Sequence, residues 1–186
     1  MTPSTLERAA VTIGIVALAG AFAPHASTQT EDASVLRRFA GTYRNPLTDG
    51  GGERIRSAIE LVVGDMAPLR QSVARRRLVE SDPPIPRITI TLVGEGLVVD
   101  YTRGRRNETP RLGTFAENPS AGGGTIDVKH EVVGNRLRET YRERRGGAVH
   151  LFGLSADGRE LSLEATIRSP HLPRPIVYTL VFERTP

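Results

Sequence analysis

The chain contains no cysteine and no tryptophan. Without cysteine there is no disulfide, no thiol nucleophile, no thiolate metal site and no lipid-modified cysteine to anchor an exported chain. Aromatic residues make up 5% of the 186 residues and hydrophobic residues 38%. That suffices for one globular domain with a lean core, preceded by a leader. Lysine is nearly absent too: Lys129 is the only one, so arginine carries the net charge of +4. This bias reads as codon usage rather than a dedicated anion surface, although a basic balance also suits an acidic ligand or an anionic membrane surface. There is no G-x-S-x-G, no HExxH and no repeat, and Gly122-Gly123-Gly124 lacks the strand-to-helix context of a phosphate loop.

What is present begins with an uncharged run, Val11 to Ala23, after Arg8. Its length suits the apolar region of a signal peptide and falls short of the ~20 residues that span a bilayer. Pro24 disfavours cleavage after Ala23, which moves the expected site to Ala26 or Thr28. Residues 1–28 therefore read as a signal peptide and 35–186 as the folded domain, in a periplasmic or secreted protein.

The segment from Ile126 to Ile167 specifies its own register. Turns at Gly134-Asn135, Arg145-Gly146 and Asp157-Gly158 divide it into four strands. Pairing outward from the first turn sets Val132 opposite Leu137, His130 opposite Glu139, Val128 opposite Tyr141 and Ile126 opposite Glu143. The other face then matches Glu131 with Arg138 and Asp127 with Arg142, and a one-residue slip would lose both charge pairs. Across the later turns Tyr141 is expected to meet His150 and then Ala165, and Glu139 to meet Phe152 and then Leu163. One face is thus apolar apart from His130, Glu139, Tyr141, Glu143 and His150, a composition that suits a wet cavity better than a dry core.

Elsewhere, Arg38 to Arg44 reads as a first strand. Ile55, Ala58, Ile59, Val62, Met66, Leu69, Val73 and Leu78 recur at helical spacing, and Gly64 and Pro68 split them into two short helices. Strands at Arg87–Val93 and Leu97–Arg103 pair Leu92 with Leu97, Ile90 with Val99 and Ile88 with Tyr101. Further strands are expected at Glu108–Phe115, weakened by Pro110, and at Ile176–Arg184. About nine strands joined by hairpins, with a helical pair after the first, imply a mainly β protein: an up-and-down antiparallel barrel, which leaves no exposed edge and has room for one small ligand.

This layout resembles the calycin superfamily, and its fatty-acid-binding-protein-like branch more than the true lipocalins, as an exported bacterial member. Phe39-Ala40-Gly41-Thr42-Tyr43 is similar to the F-x-G-x-W/Y opening strand, the helical pair to the lid of intracellular lipid-binding barrels, and Val181-Phe182-Glu183-Arg184 to their final strand. The opening motif lacks its tryptophan, and the lipocalin disulfide is missing. The Arg-x-Tyr carboxylate clamp of the lipid-binding family does not transfer, because the inward positions of the last strand are Tyr178, Leu180 and Phe182. The resemblance implies a lidded barrel around a small, mostly apolar molecule.

The expected function is an exported protein that holds a hydrophobic or amphipathic ligand through His130, Glu139, Tyr141, His150, Tyr101 and Tyr178, whose side chains offer donors and acceptors for a head group. The same residues allow two other readings. They can be an internal polar cluster that only satisfies itself. Alternatively, His130 and Glu139 act as acid and base with Tyr141 as an oxyanion donor, in an isomerase or cyclase. No cofactor and no metal is expected, although His130, His150 and one Glu are chemically able to ligate a metal, or one His a haem. Arg75-Arg76-Arg77 reads as a helix end and Arg103-Gly104-Arg105-Arg106 as a loop. Nucleic acid is not an expected partner, since aromatics do not interleave the basic runs. Transient contact of the basic lid with anionic membranes stays open, as does the oligomeric state.

Overall fold

The structure is a computed structural model that describes residues 26–102, 105–120, 123–144 and 146–186. The expected signal segment lies largely outside these residues, so its fate is not visible in the fold. The chain begins with α1 (Ala26–Phe39), followed by β1 (Gly41–Arg44), α2 (Gly52–Val63) and α3 (Pro68–Ser81). Nine further strands follow: β2 (Arg87–Val93), β3 (Gly96–Tyr101), β4 (Arg105–Thr109), β5 (Ala116–Pro119), β6 (Thr125–Val133), β7 (Arg136–Glu143), β8 (Gly146–Leu154), β9 (Glu160–Arg168) and β10 (Ile176–Arg184). They form one ten-stranded antiparallel sheet in the order β4-β3-β2-β1-β10-β9-β8-β7-β6-β5. Every neighbour is the next strand in sequence except β1 and β10, whose pairing of Tyr43 with Arg184 joins the two ends of the sheet's chain path; the helical pair separates β1 from β2.

The free edges, β4 and β5, lie against each other, so the sheet curls into a nearly closed up-and-down barrel, as the hairpin pattern implies. The seam has no strand ladder; the Asn118 side chain bridges it. Alternation fixes which face turns inward. On β10, Ile176, Tyr178, Leu180 and Phe182 are buried and the residues between them are exposed.

Most of the expected register holds. Val132 faces Leu137, His130 faces Glu139 and Val128 faces Tyr141, and the ladder ends one pair short of Ile126 and Glu143. Arg138 Nε lies 2.9 Å from Glu131 on the outer face. Leu92–Leu97, Ile90–Val99 and Ile88–Tyr101 pair as expected, as do His150–Ala165 and Phe152–Leu163.

The β7–β8 register differs by two residues. Glu139 faces His150 and Tyr141 faces Ala148, because the ladder runs on to Glu143 opposite Gly146, which takes Gly146 out of the expected turn at Arg145-Gly146. The glycines belong to the strand, where the backbones approach closely: a Cβ on Gly147 would sit 2.5 Å from the Tyr141 carbonyl oxygen. An even slip preserves every face, so the inward set is unchanged.

Four other expectations are corrected. Arg38 and Phe39 end α1 instead of opening β1; Leu36 and Phe39 are buried as the apolar side of that helix. Most of the expected strand at Glu108–Phe115 is instead the connection between β4, which ends at Thr109, and β5, which starts at Ala116, because Pro110 cannot donate to a ladder. Arg105 and Arg106 lie on β4 and not in a loop. The helical pair forms, but only α2 buries its apolar stripe (Ile55, Ala58, Ile59, Val62); α3 buries no residue, and Leu69 is 93% exposed.

The two ends of the barrel are therefore unlike. At one end α1 packs against β2, β6 and β7, and Arg184 fastens it by donating to the carbonyls of Arg38 (2.5 Å), Ala40 (3.0 Å) and Gly158 (2.9 Å). At the other, α2 lies against β10 and α3 stands over a cavity.

Candidate ligand site

A single row of inward residues crosses five strands: His130, Glu139, His150, Ala165 and Tyr178, each opposite the next. Strands β3 and β4 bring Tyr101, Arg105, Asn107 and Thr109 to the same interior. At the centre is Glu139, which is 0% exposed. Its Oε1 accepts from Asn107 Nδ2 at 2.7 Å and lies 3.0 Å from His130 Nε2. Its Oε2 accepts from the hydroxyls of Tyr141 (2.6 Å) and Tyr101. Thr109 Oγ1 sits 2.8 Å from His130 Nδ1 on the far side of that imidazole. His150 Nδ1 lies 3.0 Å from the Tyr101 hydroxyl and 3.2 Å from that of Tyr141.

All the lone-pair directions of this carboxylate are thus occupied by protein donors. Burial opposes its charge, but the hydrogen bonds and charges of His130 and His150 prevail and hold its pKa well below the usual carboxylate value. Burial, reinforced by the Glu139 charge, pushes the phenols of Tyr101 and Tyr141 well above their usual value. The cluster is a carboxylate held ionised by two imidazoles, beside phenols held neutral.

The cavity lies beside this cluster, beneath α3, with a volume of about 890 Å³, within the range of small-molecule sites. Leu69, Val73 and Leu78 of α3 and Ile167 of β9 give it an apolar side. Its polar end is made by Asp82, Arg105, Asn107, Tyr141 and His150. The Arg105 guanidinium stacks 4.0 Å from the Tyr101 ring centroid. Its Nε and Nη2 are buried and have no hydrogen-bond partner among the described residues. Burial works against its charge, but Tyr141, Tyr101, Glu139 and Asp82 outweigh it and push its pKa up.

The structure thus sorts the residues named from sequence. Tyr141 and His150 reach the cavity wall, and Glu143 stands exposed at its rim. His130, Glu139 and Tyr101 are gathered into the cluster but do not line the cavity. Tyr178 ends the row, buried, with a hydroxyl that makes no hydrogen bond and a pKa raised by burial and by nearby Asp82. Among the described residues, no group of three or more His, Asp or Glu is placed to hold a metal ion.

Sequence reasoning missed Arg105, Asn107, Thr109 and Asp82. On β4 the inward positions are polar, so the strand carries no hydrophobic alternation to reveal it; the available signal was period-two spacing of Arg105, Asn107 and Thr109 ahead of Pro110. Asp82 reads as a helix terminator in Ser81-Asp82-Pro83-Pro84, and only the fold turns it inward.

No family model matches the sequence, and no curated protein matches it. Solved structures do. The abundant heat soluble (SAHS) protein of Ramazzottius varieornatus aligns with a TM-score of 0.53 at 11% identity, over 80% of this chain and 96% of that one. The fluorescent protein UnaG aligns with a TM-score of 0.52 at 16% identity, over 81% and 99%. The fold is a calycin-like barrel, as in these two structures. Zebrafish ileal bile acid-binding protein, solved with cholic acid, aligns at 0.49 and 12% identity over 80% and 99%. At such identities the likeness speaks for the fold alone. The interior of this barrel carries a buried carboxylate cluster beside an arginine with two unpaired N–H groups.

Proposed function

We propose that this calycin-like barrel is an exported carrier that holds one amphipathic molecule, its apolar body under α3 and an acidic head group at Arg105. The observation that carries this is the unpaired guanidinium at the polar end of the cavity. Buried N–H groups without acceptors are costly, and an anionic ligand accepts from both Nε and Nη2. Leu69 and Val73, the apolar residues of α3 at the cavity that stay exposed, have a use in the same reading, since they cover the body of the ligand. Export is supported by the uncharged run from Val11 to Ala23.

The acid–base reading gains less support. Glu139 and His130 are both fully buried and off the cavity wall, and the carboxylate has no lone pair left for a substrate proton.

Native mass spectrometry of the protein purified from its own host, followed by denaturing extraction, tests the carrier. A stoichiometric amphipathic acid is expected. A clean apo mass with no uptake from a host lipid extract sinks the proposal. N-terminal sequencing of that material, after cell fractionation, tests export: a start near residues 27–29 in the periplasmic or secreted fraction is expected, and an intact leader in the cytoplasm overturns it.

A further inference from the structure

The polar end of the cavity is lined by two side chains whose bonding capacity is unused, Asp82 and Arg105, and a third, Tyr178, is buried nearby off the cavity wall. Asp82 Oδ2, Arg105 Nε and Nη2, and Tyr178 Oη all lack a hydrogen-bond partner among the described residues. They arrive from separate elements: the C-terminal cap of α3, strand β4 and strand β10. Asp82 is 6% exposed and Tyr178 5%. Asp82 and Arg105 both line the cavity, and each is near enough for the charge of Asp82 to act on Arg105, yet they form no ion pair. Two buried charges of opposite sign thus face a common space without touching. Proteins rarely leave such groups unpaired, because each unsatisfied buried partner is costly.

A bare carboxylate cannot complete this set. It would satisfy Arg105, but its oxygens would lie near Asp82, which can only accept. The Tyr178 hydroxyl does not reach the cavity wall, so it offers a ligand nothing in place of Asp82. Resting on the carrier reading, we propose that the head group is an acid with a hydrogen-bond donor beside its carboxylate: a hydroxy acid or an N-acylamino acid. The carboxylate pairs with Arg105, and the hydroxyl or amide N–H donates to Asp82 Oδ2. Asp82 is then the specificity-determining residue, and because it ends α3 it links head-group recognition to the helix that covers the cavity.

Calorimetric titration of the mature protein with dodecanoate, 3-hydroxydodecanoate and N-dodecanoylglycine tests this. At least one donor-bearing acid is expected to bind about tenfold tighter than dodecanoate. Whichever of the two binds better tells hydroxyl from amide. In Asp82→Ala the preference is expected to vanish, with dodecanoate bound at least as well as by the unmodified protein. The cap itself is a backbone bond, Asp82 N–H to the Leu78 carbonyl at 3.0 Å, which alanine keeps. If that variant fails to fold, Asp82→Asn gives the same reading, since an amide can donate to a bare carboxylate and the preference must shrink. Equal affinities in the unmodified protein, or a preference that survives loss of the Asp82 charge, overturn the inference and leave the carrier reading standing. Failure of all three acids to bind overturns both.

Discussion

The side-chain amide of Asn118 does for Glu108 what a neighbouring strand would do. Asn118 Oδ1 accepts from the Glu108 N–H at 2.7 Å, and Asn118 Nδ2 donates to the Glu108 carbonyl at 3.0 Å and to that of Ala116 at 3.0 Å. One amide thus closes the seam between β4 and β5 at a point where no ladder forms.

Asn118→Asp is expected to open that seam. The substitution removes the donor and aims a negative oxygen at two carbonyls, costing about 1–3 kcal/mol. Denaturant unfolding measures the loss, and hydrogen exchange should show faster exchange at the Glu108 amide, with β8–β10 unaffected.

Glu139→Gln is expected to destabilise the fold by about 2–4 kcal/mol, because one carbonyl oxygen cannot replace two carboxylate oxygens in accepting from four donors. The pH dependence follows from the depressed pKa of Glu139. Between its folded and unfolded pKa values the unfolded chain binds the extra proton. The stabilisation is therefore complete above the unfolded value, ~4.3, and is lost as pH falls through the lower folded value. Thermal melts from neutral pH down to acid should show this component in the unmodified protein and not in Glu139→Gln.

All four tyrosines have raised pKa values, Tyr43 among them, each with burial as the largest cause. A raised phenol contributes stability that is present below the unfolded value of ~10 and lost as pH rises through the folded one. Alkaline titration followed by phenolate absorbance should show no early step; the signal should rise in one transition together with loss of β-sheet circular dichroism. A tyrosine that titrates at its ordinary value while the sheet is intact would contradict the packing of the cluster.

Arg105→Met should separate binding from folding. Methionine keeps an apolar contact with the Tyr101 ring and removes two buried N–H groups that lack acceptors, so the apo protein is expected to stay folded. Affinity for an anionic amphiphile should fall about thirtyfold or more. Paired thermal melts and titrations check both halves, and unchanged affinity would remove Arg105 from the site.

Several features were legible in the residues themselves. The β6–β7 pairing follows from a two-residue turn and two charge pairs that only one register satisfies. The barrel follows from hairpins that never stop, and the helix of α2 from its apolar spacing. Other features were not. The β7–β8 register was misjudged by two because glycine marks both a turn and a close backbone approach, and only the neighbouring strand shows which applies. Strand β4 was hidden because its inward residues are polar, so hydrophobic periodicity, the main sequence signal for a strand, is silent there.

The sequence by itself determined which side chains share the interior face, because period-two alternation and short turns are local constraints. It brought His130 to Glu139, since those residues are nine positions apart across one hairpin. The tertiary structure decided which of them meet the cavity. Asp82, Arg105 and Tyr178 converge only when the lid folds over and the barrel closes, and Glu139 is withdrawn from the wall only because Tyr101 and Asn107 arrive from strands far away in the chain. Sequence periodicity sets the direction of a side chain, whereas the partners it meets across a barrel depend on closure, which no local pattern encodes.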